Sequence, residues 1–390
     1  MHKSVLLIAA TGLGLTIWAS PASVRPASAD DVCADLEERV AELEATTVRK
    51  GKYGSNLGEG YVFACPQIWV GGGVQLLSLP DIDFTFLTDA RGDLVQRQRN
   101  SELNDYGGAF VGGFGTPLGY LGGTLVTGGV SGFFTNVDDD EVKRCSSTSK
   151  FDCAVANIVN VDTLMPLVPG VLTAPGFTTK TNRDVDYWGV DGELRFGQAP
   201  APLPDSGGYL FRFGYVGFGA GVREINQDNH IRIDVPDIAG NAVNYSETLD
   251  TTYWGGFLSI GGEYNILGYL FDAGNLGLRS MLSLRAGIYN AETDYRGLFS
   301  VRDFDPTWLR LSDDQVAFIG SATLQTRKQF GPRTSLSLVT DYEYYSYAPE
   351  MRYADGVHDT RIGEDDAFEV RTTLRLNIGL GPASHYPPPP

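Results

Sequence analysis

The segment Ala367 to Leu380 sorts its side chains into two sets by alternate position. Phe368, Val370, Thr372, Leu374, Leu376, Ile378 and Leu380 form one set, and Glu369, Arg371, Thr373, Arg375, Asn377 and Gly379 the other. A strand turns successive side chains to opposite faces, so this pattern predicts a β-strand longer than most soluble ones, apolar outside and ionic inside. The same rhythm recurs upstream. Thr334 to Tyr347 set Leu336, Leu338, Tyr342 and Tyr344 outward against Ser335, Ser337, Asp341 and Glu343, and the Gly331-Pro332 turn joins them to a strand over Gln315 to Lys328. Leu276 to Ala291 point Leu278, Leu282, Leu284 and Ile288 outward and Arg279, Ser283 and Arg285 inward. Thr251 to Ile266 carry Trp254, Leu258, Ile260 and Tyr264 outward with Glu263 inward. Gly208 to Glu224 place Tyr209, Phe211, Phe213 and Tyr215 on one face and Arg212 on the other. Val185 to Gly197 set Trp188, Val190, Leu194 and Phe196 against Asp191, Glu193 and Arg195.

Earlier strands are less regular. Asp105 to Gly115 and Gly119 to Asn136 read as a hairpin through Thr116-Pro117-Leu118, and Ile68 to Leu77 as a first strand. Together these predict an all-β fold, a transmembrane antiparallel up-and-down β-barrel of about ten strands, with twelve the rival count if Asp81 to Thr88 also crosses. Four stretches read as long outer loops: Asp138 to Asn182, Ile225 to Asp250, Thr293 to Asp314 and Ala348 to Asp366. They carry acid runs such as Asp138-Asp139-Asp140-Glu141, which reads as a solvated charge run, lacking the spacing of a calcium loop. The apolar stretch Ile158 to Phe177 reads either as a constriction folded into the mouth or as an ordinary loop at the rim.

The start of the chain supplies the compartment. Lys3, an apolar run from Val5 to Ala19 and the small residues Ala27-Ser28-Ala29 form a secretory signal over residues 1–29, too short to span a bilayer. Export together with amphipathic strands predicts the bacterial outer membrane. Residues 30–50 place Cys33, Leu36, Val40, Leu43 and Thr47 at spacings of three and four, a short periplasmic heptad helix. Such a helix is too short to stand alone, so it either joins copies of itself, as in a homotrimer, or packs elsewhere on the chain. Residues 51–67 form a linker, 68–380 the barrel, and 381–390 a proline-rich tail that cannot pair in a sheet.

Composition fits this picture, with 48 glycines, 20 phenylalanines, 19 tyrosines and 5 tryptophans in 390 residues. The formal charge of −18 argues against a nucleic-acid partner. The expected partners are outer-membrane lipid and lipopolysaccharide, with the barrel-assembly machinery that inserts such proteins. Four cysteines in an exported chain predict disulfides rather than a metal site. The preferred pairs are Cys145 with Cys153 and Cys33 with Cys65, although four cysteines permit three connectivities.

The run Ala34-Asp-Leu-Glu-Glu-Arg-Val-Ala-Glu-Leu-Glu-Ala-Thr-Thr47, followed by Arg49-Lys50-Gly51, resembles the opening of mature alphaproteobacterial porins of the rhizobial type. In that family a periplasmic helix precedes a β-barrel channel, so the resemblance implies a diffusion pore for small hydrophilic solutes. It covers about twenty residues of the chain, and the strand that normally follows is replaced by the Gly-rich Lys52 to Gly60.

A narrow barrel would receive Asp191, Glu193, Arg195, Arg212, Glu263, Arg279, Arg285, Asp341, Glu343, Glu369, Arg371 and Arg375 in its interior. Spread around a wet pore, these residues would screen solutes by charge and size. Packed tightly, they would pair off and leave a non-conducting structural or surface-binding barrel. An enzyme is not expected: His230, His358 and His385 fall in predicted loops or the tail, and neither a Gly-x-Ser-x-Gly nor a His-Glu-x-x-His motif is present. No cofactor or metal is expected.

Overall fold

The computed structural model describes residues 66–80, 83–88, 94–99, 103–121, 124–144, 178–197, 211–234, 242–264, 278–301, 307–330, 333–353 and 360–380. The leader, the heptad helix, the four cysteines, Ile158 to Phe177, His358, His385 and the proline tail lie outside the described residues.

The strands are β1 (Gln67–Leu79), β2 (Asp83–Thr88), β3 (Leu94–Arg99), β4 (Leu103–Leu121), β5 (Thr124–Arg144), β6 (Thr178–Gly197), β7 (Phe211–Asp234), β8 (Ala242–Tyr264), β9 (Leu278–Val301), β10 (Thr307–Gln329), β11 (Thr334–Tyr353) and β12 (Thr360–Gly379). Ten of them, β1 and β4 to β12, close into an antiparallel barrel, with β1 hydrogen-bonded to β12 on one side and β4 on the other. The closed ladder pairs the backbone polar groups along the wall, which is the condition for a sheet to cross lipid. Asp83 to Thr88, the source of the twelve-strand alternative, pairs instead with β3 as a separate hairpin.

Outside, the wall carries large apolar side chains around its whole circumference. Phe110 on β4, Leu258 on β8 and Ile288 on β9 are 69%, 67% and 68% exposed, too much and too continuous for a surface meeting water. Tyr106, Phe134, Trp254 and Phe368 mark one rim of this belt, and Phe114, Phe211 and Phe213 the other. Along β8, the run from Trp254 to Tyr264 rises about 25 Å at about 3.4 Å per residue and a tilt of about 40°, matching a membrane barrel's apolar band. The protein is therefore a transmembrane barrel of the outer-membrane kind.

Above the belt the strands do not end. β5, β7, β8, β9 and β11 run on through much of what reads as loop in the sequence, leaving only 235–241, 302–306 and 354–359 between three of the strand pairs. In this collar the alternation inverts. Asp138, Asp184, Asp228, Asp294 and Asp314 face out, while Val137, Val185, Ile225, Ala291, Tyr345 and Tyr347 join a buried apolar cluster within. Beyond the lipid the outer face meets water, and the inner face packs this apolar cluster together with the buried polar side chains of Arg183, Gln227, Asn229 and Glu247. Acidic residues that read as loop material are therefore the outer face of strands. His230 also lies on a strand, exposed, with Nδ1 2.8 Å from Ser246 Oγ on the convex wall.

A second departure lies in β7. The register slips between Phe213, opposite Gly262, and Tyr215, opposite Gly261, so Gly214 is the extra residue of a bulge. Phe213 stays exposed but Tyr215, expected on the same face, turns inward and donates or accepts a 2.7 Å hydrogen bond with Ser283 Oγ. Every residue of β7 beyond the bulge changes face with it.

Two measurements test this arrangement. Leu258→Arg at mid-belt should lower stability in lipid vesicles by about 2–4 kcal/mol in a reversible denaturant titration, whereas Asp228→Arg on the collar should change it little. On the collar, half-burial, then Asp228 and Asp294 against the opposing pull of Arg296, raise the Asp250 carboxyl above its ordinary range. A carboxyl with a raised folded-state pKa favours the folded state as pH falls through the window between the ordinary and raised values, and costs stability above it. Asp250→Asn should therefore raise the Tm at pH 7, and the gain should vanish at about pH 3, below both values.

Candidate functional site

The interior of the belt is a belt of charge. Alternation brings Tyr187, Asp191, Glu193 and Arg195 inward from β6, Asp341, Glu343 and Tyr345 from β11, and Glu369, Arg371 and Arg375 from β12. β7 adds Arg223, which faces inward only because of the bulge at Gly214.

Arg223 is the hub. Its Nη1 and Nη2 donate to Asp191 Oδ1 and Oδ2 at 2.7 and 3.0 Å, and Nη2 also reaches Glu343 Oε1 at 3.1 Å. Glu343 Oε2 accepts from the hydroxyls of Tyr187 at 2.7 Å and Tyr345 at 2.9 Å, and those two hydroxyls touch each other. β6 and β11 stand five strands apart in the ring of ten, as far as closure permits. Tyr187 and Glu343 thus join opposite walls directly.

Further ion pairs surround this bridge. Arg285 spans to Asp191 Oδ2 and Glu193 Oε2, both at 3.0 Å, while Arg195 holds Glu193 at 2.9 Å and Ser259 donates to its other oxygen. Arg375 pairs with Asp341, which also accepts from Thr323 Oγ1 at 2.7 Å. Arg371 lies 3.0 Å from Glu369 Oε1, with its guanidinium 3.7 Å from the centre of the Phe133 ring. The Arg285 guanidinium likewise lies 4.9 Å from the Phe257 ring centre. Such groups leave water only because each charge stands within ion-pair distance of an opposite one.

Space for the hub comes from glycine. A Cβ at Gly189 would lie 2.6 Å from Arg223 Cδ and from the Phe133 ring, and one at Gly221 would lie 2.1 Å from Asp191 Oδ1. Above the hub lies the aromatic cluster, in which Tyr253 donates to the Tyr347 carbonyl at 3.1 Å. Below it a cavity of about 180 Å³ extends from Arg223 and Glu343 down to Gln67, Arg327 and Asn377, near the strand ends beside the short turns.

Of the predicted interior residues, Asp191, Glu193, Arg195, Arg285, Asp341, Glu343, Glu369, Arg371 and Arg375 come together in this network. Arg212 and Glu263 are register partners of each other nearer the turn end. Arg279 is the register partner of Arg327, and its side chain lies outside the described residues. Arg223 escaped the sequence because two-residue counting carries no signal for a bulge. Tyr187, Tyr345 and Phe133 share the inward parity of their neighbours, and that parity would have found them had aromatic residues not been assigned to lipid.

Replacing Arg223 by Ala would leave Asp191 and Glu343 facing each other without their shared cation. Loss of one partner from a buried pair costs about 3–5 kcal/mol, so Arg223→Ala should lower the unfolding free energy by that order, and Arg223→Ala with Glu343→Gln should recover part of the loss in the same titration.

No protein-family model matches the chain, and no curated protein matches it in sequence. Among solved structures, it is similar in form to the outer membrane protease OmpT of Escherichia coli, at 9% identity over 80% of this chain and 97% of that one, with a TM-score of 0.42. It is also similar to the translocator domain of the autotransporter NalP of Neisseria meningitidis, at 8% identity over 88% and 95% with a TM-score of 0.33. An anion-selective porin of Comamonas acidovorans matches at 10% identity over 80% and 98%, with a TM-score of 0.15. At these distances no activity is lent to this chain by any of them.

Proposed function

We propose that the protein is a non-conducting outer-membrane barrel, a structural and surface-presenting element of a Gram-negative envelope rather than an open pore. The observation that carries this reading is the direct contact of Tyr187 with Glu343 across the full width of the ring, with Arg223 locking both to Asp191. An ionic layer and an aromatic layer occupy successive levels of one narrow lumen. A porin spreads its arginines and carboxylates around a wet passage, whereas here they neutralise one another at hydrogen-bond distance.

What the barrel offers outside is its collar, an extension of the wall with carboxylates facing lipopolysaccharide headgroups and the medium. The reading is non-enzymatic, supported by the setting of His230, which makes a cross-strand rung with Ser246 on an exposed convex surface. Diffusion of small solutes, which the porin-like leader implies, remains the second reading, favoured by the charged cavity that reaches halfway along the lumen.

Planar-bilayer recording separates the two. Purified protein should show no discrete conductance steps, and Tyr187→Ala combined with Glu343→Ala should introduce them. Steps of uniform size from the unsubstituted protein would overturn the closed-lumen reading in favour of the channel.

A further inference from the structure

The cavity below the hub is more than unfilled space. Its lining includes six arginines, Arg195, Arg223, Arg285, Arg327, Arg371 and Arg375, against three carboxylates, Asp191, Asp341 and Glu343. Glu193 and Glu369 stand behind that lining and bind Arg195, Arg285 and Arg371, yet the arginines still outnumber all five carboxylates. The net charge of the cup is therefore positive in a chain whose formal charge is −18. Hydrogen-bonding capacity is also left over. Arg285 Nε and Arg371 Nε and Nη1 are buried without a hydrogen-bonded acceptor and both Glu369 oxygens without a donor, although Arg371 is held at ion-pair distance by Glu369 and more loosely by Asp341 at 3.8 Å. Arg371 is 6% exposed, so bulk water does not satisfy those donors.

Neutral hydrogen-bonding groups complete the wall: Ser131, Ser283, Ser321, Thr323, Gln325 and Asn377. A volume of about 180 Å³ holds about a dozen waters or one small solute, well below a drug-sized pocket. The aromatic layer closes the top, and Gln67, Arg327 and Asn377 at the lower end lie beside the short turns, the periplasmic side in a barrel of this kind.

We propose that the lower lumen is a periplasm-facing binding cup for a small oxyanion, a carboxylate or phosphate carrying few other atoms, seated among Arg285, Arg371 and Arg375. Planar guanidinium forks fit both carboxylate and phosphate oxygens, and a low-dielectric wall strengthens the attraction over that at an open surface. The neutral hydroxyls and amides suit a ligand that also bears hydroxyl or carbonyl oxygens. The proposal uses the closed-lumen reading only to fix the side from which the ligand arrives.

Ser321 lies in the cup wall on β10 and provides a reporter. In the full chain, held in lipid nanodiscs, Ser321→Cys should react with the anionic reagent MTSES at least about tenfold faster than with the cationic MTSET, as expected where positive walls concentrate anions. The modified peptide is read by mass spectrometry, with the unsubstituted chain as background. Succinate or inorganic phosphate at about 10 mM, above a millimolar Kd, should slow the MTSES reaction, and whichever protects names the oxyanion. Putrescine should not protect. Arg375→Gln in the same background should reduce the anion preference. Equal rates, faster MTSET reaction, no reaction at all, or protection by neither anion would each overturn the cup. Conductance of the unsubstituted protein would refute the closed lumen instead, leaving the charge preference at position 321 to be read separately.

Discussion

A single carboxylate organises the inside of this barrel. Glu343 accepts from Arg223, Tyr187 and Tyr345, three donors on three strands, two of which stand on walls remote from its own. A charge buried in the middle of a membrane protein costs several kcal/mol unless every lone pair is met. The fold meets that demand by drawing opposite walls together through side chains. Ten strands enclose a lumen narrow enough for tyrosine and arginine to reach across it, and glycines at Gly189 and Gly221 admit them to it.

The other constraint is the change of solvent along the strands. Within the belt the outer face meets hydrocarbon, so oily residues point out and charge is gathered inside. In the collar the outer face meets water, and the same backbone alternation serves the opposite arrangement, with Asp138, Asp184 and Asp228 out and Val137, Val185 and Ile225 in. The ionic hub sits near this transition. The upper lumen adds buried tyrosine and aliphatic side chains to a few paired polar groups such as Arg183 with Gln227, while the lower lumen gathers most of the arginines.

Closure and charge therefore divide the interior by height. At the level of Arg223 and Glu343, carboxylates and arginines meet across the ring at hydrogen-bond distance. Below that level arginines exceed carboxylates and the wall opens into a cavity, and this local imbalance runs against the acidity of the whole chain. Net charge taken over a sequence describes the collar well and the lumen not at all, because the two are separated by a low-dielectric wall.

The alternation of Phe368 to Leu380 with Glu369 to Gly379 determined a membrane strand without any reference to its neighbours, because side-chain period is a local property of the backbone, and its repetition pointed to a barrel of about ten strands, with twelve excluded only by the pairing of β2 with β3 outside the ring. It also identified Asp191, Glu193, Asp341, Glu343 and Arg371 as one inward-facing class. Three features needed the folded molecule. The bulge at Gly214 that turns Arg223 inward depends on pairing with β8, and the collar depends on where lipid stops. The bridge from Tyr187 to Glu343 joins residues 156 apart in sequence, and only closure of the ring brings them within 2.7 Å.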